Sequence, residues 1–329
     1  MTSFEHRQTA HCESGAVSSL LRHHGLPLSE PMVFGLSAAL TYAYIPLLKI
    51  GGMPMLAYRM PPGMIIRGLS KRVGINFRFQ RFRRPEQGMA VLDQHLAQAR
   101  PVGLQTSVYW LPYFPENMRF HFNAHNLVAY GRDGEDYLIS DPTFEHPVRA
   151  DGPSLQRARF VKGMLAPKGL IYYPEKMPAA VDYPRVIPAA IGRTSKLMLE
   201  TPLPFIGVRG INYVARKLEG FDPAGDHQQQ LILGHMVRMQ EEIGTGGAGF
   251  RFLFASFLQE SAELLQNERL QVAADLFTDA GDEWRRFALY AAKMLKGRME
   301  LDYHKLAEQL RQVAAMEERG YRDLRKAIG

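Results

Sequence analysis

The chain of 329 residues holds one cysteine, Cys12, in the stretch HRQTAHCESGA at residues 6–16. Cysteine chemistry runs through the thiolate, and a thiolate at neutral pH needs a helix N-terminus, a neighbouring imidazolium, or both. Cys12 opens a segment over 12–24 that reads as a helix, closed by Gly25 with Pro27 just beyond. The imidazole has to come from elsewhere. In HFNAHNLVAYGRDGEDYLISDPTF, residues 121–144, His125 begins an apolar strand that ends at Gly131. GRDG makes a hairpin turn, and DYLIS returns to deliver Asp141 before Pro142. Sixteen residues across one hairpin can set His125 and Asp141 at the same end of two neighbouring strands. A carboxylate there fixes the imidazole tautomer and orients the ring. Cys12, His125 and Asp141 therefore form a candidate nucleophile, base and orienter.

Other readings of the same residues stand beside this one. A lone cysteine is often an inert core residue, and His125 with Asp141 can be a structural pair. His121, four before His125, shares its face in a strand and is a second candidate base or a substrate contact. His121, His125 and Asp141 form only a loose set for zinc, which asks for three or four ligands in firm geometry, so no metal is expected. His11 reads as a structural or oxyanion-side neighbour of Cys12. GTGGAGFR at 244–251 lacks the Lys-Ser/Thr of a phosphate loop and follows no strand. Its N–H groups with Arg251 could hold an anion such as a phosphopantetheine phosphate. The preferred reading is a tight turn where glycines let helices approach.

Two kinds of segment must position these residues. The first half predicts helices at 12–24, 64–74 and 87–99, and strands at FRFQRF, PVGLQTSVYW, NLVAYG and DYLISD. That is an α+β domain, helices first and an antiparallel sheet after, placed at residues 1–178. The uncharged run 31–48 reads as buried core or the wall of an apolar cleft, because Gly35, Pro46 and several hydroxyls argue against a membrane span. Four prolines in 174–188 suggest a connector. From 189 to 329 only helical segments follow, at about 189–200, 209–218, 226–243, 248–266, 269–278, 282–299 and 301–327. Trp284, Phe287, Leu289 and Tyr290 in the 282–299 segment read as core or as the seam of a homo-oligomer.

Charge narrows the partners. Residues 1–180 carry 20 Lys+Arg against 13 Asp+Glu, and the remaining 149 carry 20 against 20. The whole excess of +7 lies in the first half, densest at RFQRFRRPE. Such a face suits an acidic partner; no helix-turn-helix, zinc-finger or RNA-binding signature accompanies it, so nucleic acid is not expected. A strand edge guarded by charge is the plain alternative. One cysteine makes no internal disulfide, and with no basic-then-apolar leader the expectation is a cytoplasmic protein.

The order Cys at a helix start, His opening a strand, then Asp on the next strand resembles the papain-like superfamily, particularly its bacteriocin-processing double-glycine peptidases. That branch carries an oxyanion Gln six residues before its Cys; here the position is His6, and the nearest Gln is Gln8. HCESGA, FGLSAALTYAY, PVGLQTSVYWLPY, HFNAHNLVAYG and ISDPTF resemble the N-terminal domain of the butirosin biosynthesis protein H family. GTGGAGFRFLFASFLQES resembles the helical domain of unknown function that often follows it. Relatives often carry an Asp shortly before LPY, where this chain has Thr106 and Ser107. The resemblance implies a papain-like catalytic domain followed by an all-α domain. It also implies transfer of an acyl group from an acyl carrier protein thioester to an amine, through an acyl-Cys12. His125 would be base, Asp141 orienter, and His6, Gln8, His11, His121 and Arg251 candidate oxyanion or substrate contacts. The phosphopantetheine would come with the carrier, and no other cofactor is implied. A cysteine peptidase or amidase, and a non-catalytic binding module, are the rival readings.

Overall fold

The computed structural model describes residues 4–222 and 224–329. In chain order it begins with α1 (Cys12–His23), α2 (Glu30–Leu36), β1 (Leu40–Ile50), β2 (Met53–Arg59), α3 (Met64–Val73) and β3 (Asn76–Gln80). Then come α4 (Pro85–Ala97), β4 (Val102–Thr106), β5 (His125–Asp133), β6 (Asp136–Ser140), β7 (Val148–Asp151), α5 (Gly152–Phe160) and β8 (Ile171–Lys176). Only helices follow: α6 (Tyr183–Glu200), α7 (Gly207–Glu219), α8 (His227–Glu241), α9 (Arg251–Leu265), α10 (Glu268–Leu295) and α11 (Tyr303–Ala327). None of the helices among the described residues is long and apolar enough to cross a membrane.

The chain divides into two compact units. One comprises residues up to Val33 with Ile65–Val181, the other Phe34–Met64 with Asp182–Gly329. The first unit is α+β: a cysteine-bearing helix ahead of an antiparallel sheet. The sheet order is β3-β8-β4-β5-β6-β7, every neighbouring pair antiparallel. Period-2 alternation sorts its side chains. Val102, Leu104, Leu127, Ala129, Ile139 and Ile171 pack with Leu92 and Leu96 of α4 and Leu155 and Ala158 of α5. Gly103, Val128 and Tyr172 take the other face, where α1 lies across β4, β5 and β8.

The second unit is mainly helical but not all-helical. The antiparallel β1–β2 hairpin belongs to it, which changes the expected 1–178 and 189–329 division. Aromatic residues at strand spacing explain the hairpin: Tyr42 of β1 stacks on Trp284, and Tyr58 of β2 meets the same ring edge-on. From Phe34 to Tyr44 the uncharged run is therefore core of this unit rather than a cleft wall, and Leu47 at the hairpin end is 96% exposed. The helices predicted at 269–278 and 282–299 are one helix, α10. Gly281 does not end it; a Cβ there would stand 2.7 Å from the Phe252 ring, so the glycine serves close packing. The proline-rich connector is also shorter than expected. Pro174 lies in β8, Pro184 in the first turn of α6, where its missing N–H costs nothing, and Pro188 inside that helix.

Candidate active site

Cys12 is the first residue of α1, at the positive end of the helix dipole. His11 is the N-cap, extended at φ −138° and ψ 134°, and its Nδ1 accepts from the Ser14 N–H at 3.3 Å. The chain is held in that turn by Glu30. Its carboxylate accepts from the Ala10 and His11 N–H groups, both at 2.8 Å, and from the Ser14 hydroxyl at 2.9 Å. Burial pushes the Glu30 carboxyl up, and these three donors pull against it. Gly15 completes the local geometry: a Cβ there would stand 1.8 Å from Thr9 Oγ1 and 3.0 Å from the Pro142 side chain. Only glycine lets the incoming segment and the residue after Asp141 close on α1.

His125 starts β5 and Asp141 directly follows β6. The His125 Nε2–H donates to Asp141 Oδ2 at 2.7 Å, with both side chains buried. The same oxygen accepts from the Tyr113 hydroxyl at 2.9 Å, and Oδ1 accepts from the Thr143 N–H at 3.0 Å. Burial opposes charge on both partners, but their proximity prevails. His125 is raised well above its ordinary value by Asp141 and by a hydrogen bond with Cys12. Asp141 is lowered by His125, Thr143 and Tyr113. With Nε2 given to Asp141, Nδ1 is the ring nitrogen left for the Cys12 sulfur. The Phe114 ring meets the imidazole edge-on at 5.6 Å, which shields it from water. The arrangement can generate a thiolate, hold an imidazolium next to it, and shuttle one proton between the two.

The remaining candidates divide between support and other duties. His6 places Nδ1 2.7 Å from the Ser140 hydroxyl and donates Nε2–H to the Phe144 carbonyl at 3.0 Å, so it binds the N-terminal segment to the end of β6. Gln8 is exposed and its amide donates to the Thr143 carbonyl at 3.1 Å. Both side chains are thus engaged with the segment around Asp141, and the Cys12 N–H lies in the first turn of α1, where N–H groups have no intrahelical partner. His121 stacks on Tyr109 at 4.1 Å rather than joining Asp141. Arg251 is a correction: its guanidinium is fully buried in the second unit, bonded to both Glu317 oxygens at 2.8 and 3.0 Å and to the Gly249 carbonyl at 2.8 Å. Those bonds occupy it, so the glycine turn 244–251 is a packing device and not an anion cradle. Among the described residues no group of three His, Cys, Asp or Glu side chains is placed to hold a metal ion.

Two residues escaped the sequence reading. Glu30 is the only acidic side chain between Glu13 and Glu86, which was a signal for a buried role. Tyr113 lies within the aromatic stretch VYWLPYF, where nothing local singles out one ring for a polar role.

Residues 11–142 match the model of the butirosin biosynthesis protein H N-terminal domain. Residues 153–324 match a domain of unknown function (DUF4872). No curated protein matches the chain. Among solved structures it is similar to a C39-like peptidase from Bacillus anthracis, 14% identical, covering 54% of this chain and 98% of that one, with a TM-score of 0.37. The chain belongs to the family of that second domain, DUF4872, and its N-terminal part is similar to the butirosin biosynthesis protein H N-terminal domain.

Proposed function

We propose that the protein is a cysteine-dependent acyltransferase that moves an acyl group from an acyl carrier protein thioester to an amine, in secondary metabolism in the cytoplasm. The observation that carries the reading is the buried His125–Asp141 pair joined to a cysteine on a helix N-terminus. The Cys12 thiolate attacks the thioester carbonyl. The carbon–sulfur bond to the carrier breaks, and the leaving thiolate takes the proton from the His125 imidazolium. The amine then attacks the acyl-Cys12, His125 accepts its proton, and the Cys12 carbon–sulfur bond breaks to release the amide. Asp141, held by Tyr113 and Thr143, keeps the imidazole aligned through both halves.

Two features favour an amine over water and a carrier over a free thioester. His125 is 4% and Asp141 0% exposed, with Phe114 against the imidazole, so bulk water is kept from the base. The excess positive charge of residues 1–180 matches an acidic carrier protein. The test is product analysis after incubation with an acyl carrier thioester and a panel of amines. Amide formation that is abolished in Cys12→Ala supports transfer. Free acid or cleaved peptide with no amide contradicts it and makes the protein a hydrolase. No product of either kind with an intact, unreactive thiol contradicts catalysis.

A further inference from the structure

On the sheet face that α1 covers, a polar bridge runs up to His125, and the reaction scheme leaves it unused. Tyr172 of β8, Gly103 of β4 and Val128 of β5 lie in one row across the sheet, and Gln105 pairs with Asn126 two residues along on the same face. Tyr172 is fully buried, and its hydroxyl donates to Asn126 Oδ1 at 3.1 Å. β4 lies between β8 and β5, so the Tyr172 ring spans the middle strand to reach its partner. It can do so because that strand carries a glycine at the crossing: a Cβ on Gly103 would stand 2.2 Å from the ring Cζ. The Asn126 amide in turn donates from Nδ2 to the Ala124 carbonyl at 2.9 Å. His125 is thereby bracketed. The carbonyl before it and the side chain after it are joined, and its own carbonyl accepts from the Thr106 hydroxyl at 3.3 Å.

A phenylalanine would fill the space of the Tyr172 ring, and a buried hydroxyl is tolerated only where it is bonded. Here the bond selects which end of the Asn126 amide faces Ala124. An amide turned end for end would set Oδ1 against the Ala124 carbonyl, acceptor against acceptor. Burial, and then the negative charges of Glu13 and a Cys12 thiolate, hold Tyr172 well above its ordinary value, which puts the hydroxyl within electrostatic reach of the nucleophile. Asp141 secures the Nε2 side of the imidazole; the backbone entering β5 decides where Nδ1 falls. We infer that Tyr172 and Asn126 are positioning residues for the nucleophile and base: Tyr172 holds the Asn126 amide, the amide holds the backbone entering His125, and that backbone keeps Nδ1 in reach of the Cys12 sulfur. The inference rests on the Cys12–His125 reading and adds to it a support independent of Asp141.

The test is the pH profile of Cys12 alkylation by iodoacetamide in the full chain, with the melting temperature recorded to confirm folding. At about pH 6 an ordinary thiol is almost wholly protonated, so the rate there reads the thiolate that the imidazolium holds. Tyr172→Phe, which keeps the ring, is expected to slow alkylation at about pH 6 at least about threefold, and the difference to close by about pH 9, where a thiol ionises unaided. Asn126→Leu is expected to slow it at least about tenfold at about pH 6. Tyr172→Phe/Asn126→Leu should be no slower than Asn126→Leu alone, because the hydroxyl acts through the amide. Should Asn126→Leu fail to fold, Tyr172→Phe decides. A folded Tyr172→Phe chain whose profile superimposes on that of the wild type, or is slowed equally at every pH, overturns the inference. A wild-type thiol no faster than free cysteine at about pH 6 overturns it together with the Cys12–His125 reading. Profiles that shift as expected in a chain that forms no amide from a carrier thioester support the inference and contradict the acyltransferase reading alone.

Discussion

At the residue scale, Asp141 is the pivot, because one of its oxygens serves both His125 and Tyr113 and the other the Thr143 N–H. Asp141→Asn keeps the volume and removes the charge that holds the imidazolium. It is expected to lower kcat by about 10²–10⁴-fold with KM nearly unchanged, as loss of the orienting acid does in other triads. Tyr113→Phe removes one hydrogen bond and should cost about 1 kcal/mol in denaturant unfolding. The charges also set a pH dependence of stability. The raised His125 contributes below the ordinary imidazole value, and that contribution is lost as pH rises through about 10. The lowered Asp141 contributes above the ordinary carboxylate range, and that contribution is lost as pH falls through its depressed value. Melting temperature followed against pH should therefore drop at both ends, and Asp141→Asn should flatten both limbs. The three central residues were legible because a nucleophile, a base and an orienter each need a recognisable local context: a helix start, a strand start and a strand end. Tyr113 was not, because its partner lies 28 residues away and is chosen only by tertiary packing.

At the element scale, the cysteine turn depends on how α1 is approached. Glu30 anchors two backbone N–H groups and one hydroxyl there. Glu30→Ala leaves those donors unpaired in a buried setting and should destabilise the fold by about 2–3 kcal/mol, read by chemical denaturation. Gly15→Ala drives a methyl into Thr9 and Pro142. It should cost about 1–3 kcal/mol and lower activity further than Tyr113→Phe does, since the strain falls between Cys12 and Asp141. The helices of the first half and the hairpin carrying His125 were readable from periodicity and turn residues. The β1–β2 hairpin was not, because an apolar run lacking clean alternation does not distinguish a strand from a buried helix. Its identity is decided by Trp284, more than two hundred residues on, which Tyr42 and Tyr58 enclose.

At the scale of the whole molecule, the two matched families do not coincide with two independent lengths of chain. Residues 34–64 leave the first unit, complete the second, and return. A fragment of residues 182–329 would leave Trp284 without Tyr42 and Tyr58, and it is expected to melt well below the full chain when followed by circular dichroism. Within the second unit Glu317 accepts from Arg251 and, at 2.7 Å, from the Trp284 indole N–H. Glu317→Ala strands a buried guanidinium and should destabilise by about 3–5 kcal/mol. The two-part plan, sheet domain then helices, was visible in the loss of strand signals after 189; the exchange of residues 34–64 was not, since it rests on contacts between distant parts of the chain.

The central claim is that Cys12 carries the acyl group. Intact-protein mass spectrometry after brief exposure to an acyl carrier thioester, with the acceptor amine withheld, tests it most directly. The account predicts one added acyl mass on the wild-type chain, mapped to Cys12, absent in Cys12→Ala and discharged on adding the amine. Turnover of the thioester by Cys12→Ala at the wild-type rate, or an acyl mass mapped to any other residue, would contradict it.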